Sequence, residues 1–153
     1  MTKAAPISRA TVLPEFQISV LSGPLAVREA LGQLLKGLEP LSLDVEEAGT
    51  VELVMAEALN NIVEHAYADL EGYIDISCVH GSDGLRLTVV DTGHAMPDGQ
   101  TPVGAAADLD VDLCDMPEGG FGWFLIKDLA KDVEYRRREH ENHLQLRIAV
   151  ATS

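Results

Sequence analysis

The chain has 153 residues, a length that suits one domain and leaves little room for a second. Hydrophobic residues make up 46% of it, which argues against disorder and predicts a packed core. A formal net charge of −14 disfavours direct binding to DNA or RNA, because such a surface repels phosphates, and favours a partner with a basic face. Two well-separated cysteines and the lack of a signal-like or membrane-spanning stretch lead us to expect a reduced, cytoplasmic protein.

The first half of the chain predicts one strand and two helices. A mixed, proline-containing stretch over residues 1–14 is expected to be a flexible N-terminal arm. Apolar residues that alternate from Phe16 predict a strand, and helical spacing predicts a helix over residues 25–38. Asp44 has the chemistry of an N-cap for a second, longer helix that we expect to reach residue 68.

The second half predicts two strand pairs around a long connection. The connection is rich in Asp, Gly, Pro and Ala, a composition typical of functional lids, and residues 15–153 are expected to form a single domain with this lid at about 94–119. We therefore predict an α+β fold, a two-layer α/β sandwich whose mixed, mostly antiparallel sheet carries helices on one face. The predicted elements are a hairpin of strands 73–79 and 85–90, a helix over 121–131, and closing strands 133–137 and 144–150.

The first candidate motif is Glu57-Ala-Leu-Asn-Asn61 on the second helix. Glu57 and Asn61 are one turn apart on the same helix face, and Glu64 and His65 continue it. An amide oxygen is a hard ligand suited to magnesium, and a carboxylate one turn earlier could deprotonate an attacking hydroxyl. Taken alone, this segment is explained better as the solvated stripe of an amphipathic helix.

The second motif ends the strand Leu87-Thr-Val-Val-Asp-Thr-Gly93. A carboxylate fixed there, at Asp91, can accept a hydrogen bond from an adenine amino group, and Gly93 lets a ring approach the backbone. An ordinary turn at the end of a strand is the alternative, because Asp and Gly are common turn residues.

The third motif is Glu118-Gly-Gly-Phe-Gly122, which opens a predicted helix. Glycines at the start of a helix can cradle phosphate groups on exposed N–H groups. No strand precedes them as in a dinucleotide-binding turn, and no Lys-Ser/Thr pair follows as in a P-loop. A flexible hinge before a packed helix is the alternative.

Together and in this order, the three motifs resemble the N, G1 and G2 boxes of the GHKL (Bergerat-type) ATPases. Within that superfamily the chain from about Phe16 to Val150 is similar to the bacterial anti-sigma-factor serine/threonine kinases. The phrases that carry this likeness are Glu57-Ala-Leu-Asn-Asn-Ile-Val-Glu-His-Ala-Tyr67, Gly119-Gly-Phe-Gly-Trp-Phe-Leu-Ile-Lys127 and the turn at Asn142-x-Leu144.

The resemblance implies ATP and Mg²⁺ as cofactors, and a STAS-type anti-sigma-factor antagonist, a sigma factor and a second copy of the chain as partners. The product would be a serine or threonine phosphorylated on the antagonist. The implied roles are catalytic base for Glu57, magnesium ligand for Asn61, adenine recognition for Asp91 and Gly93, and phosphate binding for Gly119, Gly120 and Gly122.

One departure from the family pattern lies just before the glycines. Asp115 and Glu118 place acid where such kinases can carry a basic residue toward the terminal phosphate, and acid there gives no charge stabilisation in phosphoryl transfer. A nucleotide-binding, partner-switching module without phosphotransfer is therefore the alternative function.

Three remaining features receive structural interpretations. His140 and His143 are predicted to lie in a surface turn, and Cys78 and His80 to share one strand face as packing residues. The run of three arginines at 136–138 is predicted to protect an exposed strand edge.

Overall fold

The computed structural model describes residues 13–95 and 125–150. None of the helices in these two ranges is long and apolar enough to cross a membrane. The helices and strands of the two ranges follow one another in the order β1 (Phe16–Leu21), α1 (Ala26–Gly37), a 3-10 turn (Glu39–Leu41), α2 (Val45–Asn61), a π-helical turn (Ile62–Ala66), β2 (Tyr73–Gly81), β3 (Gly84–Asp91), a short helix over residues 125–129, β4 (Lys131–Arg138) and β5 (Glu141–Ile148).

The described strands form one five-stranded sheet in the order β1-β2-β3-β5-β4. All four pairings are antiparallel, so the α+β prediction is confirmed and the described sheet has no parallel component. Alternate residues of β2, β3 and β5 are buried, and these pack with the apolar faces of α1 and α2 in a single core. The largest fully buried side chains include Leu34, Met55, Leu59, Ile76 and Leu87.

Helix α2 begins as its sequence predicts. The Asp44 carboxylate accepts a hydrogen bond from the Glu47 N–H at 2.7 Å, and the Glu47 carboxylate accepts one from the Asp44 N–H at 3.1 Å. This reciprocal capping box satisfies two N–H groups that the helix leaves without intrahelical partners.

The end of α2 differs from the expected residue 68. The regular helix stops at Asn61, and one wider turn follows, in which the Tyr67 N–H donates to the Ile62 carbonyl at 2.9 Å. Such i→i+5 turns inside helices occur frequently at functional sites. Here the wide turn precedes Tyr67, whose buried hydroxyl bonds to residues of β2 and of the chain that follows β3.

Both strand pairs are longer and more tightly connected than predicted. The first turn contains only Ser82 and Asp83, and Gly84 follows with a φ of +122°, a conformation that glycine adopts without strain. The second turn contains only Glu139 and His140. The turn predicted over residues 140–143 is therefore wrong in extent, because His143 lies within β5 opposite Val90 and Arg136.

The inner face of β2 packs in the core together with residues at the start of the described chain. Cys78 and His80 are buried on the same face, as predicted, and the Leu13 N–H donates to the His80 Nδ1 atom at 3.4 Å. Leu13 is itself buried in the core, two residues before the domain boundary expected at residue 15. Residues 1–12, most of the predicted arm, lie outside the described part of the chain.

Candidate functional site

Asp91 is the last residue of β3, and its carboxylate is buried on the inner face of the sheet. The residue is only 3% exposed. Its Oδ1 atom accepts hydrogen bonds from the Gly93 N–H at 2.9 Å and from the Asn142 side-chain amide at 2.7 Å. Within the described residues, neither of these bonds uses Oδ2, so one carboxylate oxygen is left for a further donor.

Burial dominates the electrostatics of this carboxylate. Desolvation raises the pKa of Asp91 above its ordinary value, because the charged form loses hydration. The hydrogen bonds from Asn142 and the Gly93 N–H, together with the positive charge of Arg137, oppose that shift without cancelling it. A buried carboxylate held at an energetic cost is typical of a functional position.

Gly93 lies directly against the turn that ends the long helical segment. A β-carbon built on it would be 2.6 Å from the carbonyl carbon of Ala66, so a side chain larger than hydrogen does not fit. The next residue, His94, donates its N–H to the Ala66 carbonyl at 2.8 Å. His94 also bonds Asp69 through its side chain at 2.7 Å, which lowers the pKa of that exposed carboxylate. The loop after β3 is thus seated on the segment that follows Asn61.

Asn61 does not belong to a solvated stripe. It is 6% exposed, and its Nδ2 atom donates to the Glu57 carbonyl at 2.7 Å, one turn earlier in α2. Because the amide nitrogen is engaged with the helix backbone, the Oδ1 atom is turned away from that carbonyl. Glu57 is half-buried, and no described residue bonds to its carboxylate. Glu64 and His65, which continue the predicted face, are exposed.

The hydroxyl of Tyr67 joins the end of this helical segment to the residue between Asp91 and Gly93. It donates to the Tyr73 carbonyl at 2.7 Å, and it accepts a hydrogen bond from the Thr92 N–H at 2.8 Å. It also lies 3.0 Å from the Thr92 hydroxyl. Tyr67 is 5% exposed, and these partly buried bonds tie Thr92, the residue after Asp91, to the start of β2.

Asn142 is a site residue to which the sequence patterns assign no role. The sequence predicts a turn at this position, whereas Asn142 lies in β5 directly opposite Asp91 and is 4% exposed. Its Nδ2 atom donates to Asp91 and to the His94 carbonyl at 2.9 Å. Its Oδ1 atom accepts hydrogen bonds from the Tyr135 hydroxyl and, at 3.0 Å, from Arg137. The one available signal is its place in the phrase Asn142-x-Leu144.

The arginine run lies in β4, an edge strand of the described sheet, as predicted. Arg136 and Arg138 are exposed. Arg137 has an additional contact, because its Nη1 atom donates to the Gly93 carbonyl at 2.7 Å. The edge strand therefore holds the loop after β3 in addition to ending the sheet.

The structure thus brings Asp91 and Gly93 together with the segment that follows Glu57 and Asn61. The three candidate phosphate-binding glycines, and the acidic pair before them, lie outside the described residues: Gly119, Gly120, Gly122, Asp115 and Glu118. No group of three or more His, Cys, Asp or Glu side chains in the described ranges could hold a metal ion. Mg²⁺ commonly completes its coordination with oxygen atoms of a bound nucleotide and of water.

The chain matches the model of the histidine kinase-like ATPase domain over residues 22–148. It belongs to this family. The GHKL resemblance drawn from the three motifs is confirmed, and membership of an ATPase family implies ATP binding.

Curated proteins that are similar to the chain include serine-protein kinases. RsbW of Halalkalibacterium halodurans is 31% identical over 98 residues, which cover 61% of this chain and 56% of that protein. RsbW of Bacillus cereus is also 31% identical over 98 residues, covering 63% and 59%. The blue-light-activated histidine kinase 2 of Erythrobacter litoralis is 29% identical over 96 residues, covering 61% and 24%. The matched part is thus a little over half of each RsbW protein.

Among solved structures, the fold is similar to the crystal structure of the RsbU and RsbW domains of a Mycobacterium tuberculosis protein. The TM-score is 0.63 at 18% identity, and the match covers 90% of this chain and 32% of that one. At this identity the comparison establishes the fold, and it confirms the α+β architecture of the histidine kinase-like ATPase domain.

Proposed function

We propose that the protein is an anti-sigma regulatory factor that binds Mg-ATP and phosphorylates a serine or threonine of a STAS-type antagonist. In this proposal it sequesters a sigma factor when the antagonist is absent or phosphorylated. The observation that carries it is the buried Asp91 carboxylate beside Gly93, seated on the segment that continues from Glu57 and Asn61. The similarity to RsbW serine-protein kinases supports the same function.

Asp91 has the properties needed to recognise adenine. Two fixed donors hold Oδ1, so Oδ2 is the oxygen that can accept a hydrogen bond from the exocyclic amino group of the base. The carboxylate is desolvated. A base that brings no hydrogen-bond donor to Oδ2 would therefore bind with a large energetic penalty. Gly93 holds the loop beside Asp91 against the backbone of Ala66, where no side chain fits.

Asn61 fits the magnesium ion that such a nucleotide would carry. Its amide nitrogen is committed to the Glu57 carbonyl, which leaves the amide oxygen, a hard ligand, for the cation. When bound, the ion neutralises charge on the phosphates during transfer. The strongly acidic chain needs this neutralisation, because a net charge of −14 otherwise repels the triphosphate.

Glu57 is the proposed general base. It accepts the proton of the antagonist's hydroxyl as that oxygen attacks the γ-phosphorus, a new P–O bond forms, and the bond to the bridging oxygen of ADP breaks. Its position one turn before Asn61 places base and cation ligand on the same helix face. Asp91 takes no part in proton transfer here and acts only in binding.

The test uses phosphate transfer from Mg-ATP to a purified antagonist. The wild-type chain should transfer phosphate, and Glu57→Gln should lose about 100-fold or more in rate, the usual contribution of a general base, while ATP affinity changes little. Glu52→Gln is the matched control, because Glu52 is an exposed residue of the same helix outside the proposed site. A wild type that transfers nothing, or an active Glu57→Gln variant, would exclude the kinase function.

A non-catalytic partner-switching module is the second candidate, favoured by the acidic residues Asp115 and Glu118. This function predicts magnesium-dependent ATP binding and partner exchange without transfer. Titrating ATP with and without Mg²⁺ separates both candidates from a bare interaction module, which would show no magnesium-dependent binding. Phosphate transfer to the antagonist then distinguishes the kinase from the non-catalytic partner-switching module.

The partners and the location are part of the same proposal. The acidic surface suits the basic DNA-binding regions of a sigma factor. Such a partner places the protein in the cytoplasm, and we propose that it acts there as a homodimer. Co-purification with a sigma factor at low salt, lost at high salt, is the expected behaviour of such a charge-driven complex.

A further inference from the structure

The Asn142 carboxamide has every one of its hydrogen-bonding positions occupied inside the protein. Its two N–H groups point to the Asp91 carboxylate and the His94 carbonyl, at 2.7 and 2.9 Å. Its oxygen accepts from Tyr135 and Arg137. A ligand could not bond to this amide without displacing one of these partners, so an effect of Asn142 on a ligand passes through the groups that it holds, Asp91 and the loop carbonyl of His94.

The orientation of the amide is fixed by the chemistry of its neighbours. Arg137 is a donor only, and the Asp91 carboxylate and the His94 carbonyl are acceptors only. If the amide were rotated by half a turn, its N–H groups would face the Arg137 donor and its oxygen would face two acceptors. Arg137 strengthens this arrangement, since its second contact, with the Gly93 carbonyl at 2.7 Å, is on the same loop.

We propose that Asn142, held by Arg137, is the positioning residue that sets base selectivity in the nucleotide site. By engaging Oδ1 of Asp91, it keeps Oδ2 aimed at the pocket and the carboxylate available as an acceptor. The site then favours a purine with an amino donor at its 6-position and rejects guanine, which has a carbonyl oxygen there. This inference rests on the proposed ATP binding and adds what determines the choice of base.

The experiment compares ATP with purine riboside triphosphate, which differs from ATP only in lacking the exocyclic amino group. Wild-type protein should bind ATP at least tenfold more tightly, the usual effect of a hydrogen bond to a charged acceptor. Leucine is close in size to asparagine and makes no side-chain hydrogen bonds. In Asn142→Leu the affinities for the two nucleotides should differ by no more than about threefold, because the oriented acceptor is lost. Arg137→Met, which keeps the aliphatic stem, should lower the ratio in the same direction.

Leu146→Ala is the matched control. Leu146 lies on the same buried face of β5, opposite Leu87, and its truncation destabilises the fold without touching Asp91. It should leave the ratio of the two affinities unchanged even if both affinities fall. If the ratio of the two affinities falls in every variant in step with its loss of stability, Leu146→Ala included, then Asn142 has only a structural role.

The outcomes separate this inference from the proposed function. A wild type that binds neither nucleotide refutes the proposed function. A wild type that binds both equally, or an Asn142→Leu variant that keeps the wild-type ratio, overturns the positioning role and leaves ATP binding intact. If Asn142→Leu does not fold, the Arg137→Met ratio decides, and an unchanged ratio there overturns the inference.

Discussion

Gly93 packs on the backbone of Ala66, and the two positions cannot move independently. A β-carbon at Gly93 would lie only 2.6 Å from the Ala66 carbonyl carbon, so this contact requires glycine. The hydrogen bond from the His94 N–H to the Ala66 carbonyl holds the same pair of segments together. The proposed adenine-binding loop and the segment following the proposed magnesium ligand therefore share one rigid contact, and base and phosphates would be bound in a fixed relation.

Gly93→Ala tests this contact. We expect the variant to lose about 1–3 kcal/mol of unfolding free energy, because backbone must shift to accommodate the methyl group. ATP affinity should fall as well, since the loop can no longer sit on Ala66. Urea denaturation and nucleotide titration measure the two effects.

Gly32→Ala is the control for that substitution. Nothing lies within 4 Å of a β-carbon at Gly32, which is an exposed position of α1. The change should stabilise the protein by up to about 1 kcal/mol, because alanine favours a helix over glycine. A Gly93→Ala variant as stable as this control would contradict the packing argument.

Asp91→Asn should separate stability from binding. The asparagine oxygen can still accept from the Gly93 N–H and Asn142, while the buried charge is removed, so the melting temperature should rise. ATP binding should be lost, because the amide nitrogen of the new asparagine is a hydrogen-bond donor and would face the adenine amino group, which is also a donor. Thermal melts and nucleotide titrations of the two proteins measure this, and a variant that is less stable and still binds ATP would contradict it.

The stability gain of Asp91→Asn should depend on pH. The folded-state pKa of Asp91 lies above the ordinary 3.8, so ionisation destabilises the folded wild type at neutral pH. The contribution of this group to stability is fully present below pH 3.8 and is lost as pH rises through the raised value. The difference between variant and wild type should therefore be largest at neutral pH and shrink on acidification. A difference independent of pH would exclude a buried, ionised Asp91.

Tyr67→Phe should cost about 1–3 kcal/mol of stability, because the Thr92 N–H and the Tyr73 carbonyl lose their buried partner. Tyr73→Phe is the control: Tyr73 is 60% exposed, and this substitution should change stability by less than about 0.5 kcal/mol. Chemical denaturation of both variants is the measurement. Equal losses of stability from the two substitutions would show that the hydrogen bonds of the Tyr67 hydroxyl do not stabilise the fold.

The sequence was sufficient for the types of the described elements, because alternation and helical spacing are local signals. It failed where a long-range bond sets a boundary. The end of α2 at Asn61 depends on the wide turn that brings the Tyr67 hydroxyl to Thr92, 25 residues later. The pattern of apolar residues continues through this turn and carries no sign of it.

The candidate site shows the same division. Asp91 and Gly93 could be identified because each has a recognisable local chemistry at the end of a strand. Asn142 is 51 residues from Asp91 in the chain and meets it only through the register of β3 and β5. Arg137 sits in a run of three exposed arginines in β4, and its bonds to the Gly93 carbonyl and to Asn142 distinguish it from its two neighbours. Such roles follow from tertiary pairing, which single-sequence patterns do not encode.

Cys78 offers a probe of folding and nucleotide binding together. It is a free thiol, 1% exposed, between Phe16 and Leu87 in the sheet, and burial raises its pKa to about 12. Alkylation at about pH 8, followed by peptide mass spectrometry that counts Cys114 separately, should therefore modify Cys78 only through unfolding. Saturating Mg-ATP at about 100 times its dissociation constant should slow that reaction roughly 100-fold, because the ligand stabilises only the folded state. Fast alkylation without urea would contradict the burial of Cys78, and a rate insensitive to Mg-ATP would contradict nucleotide binding by the folded chain.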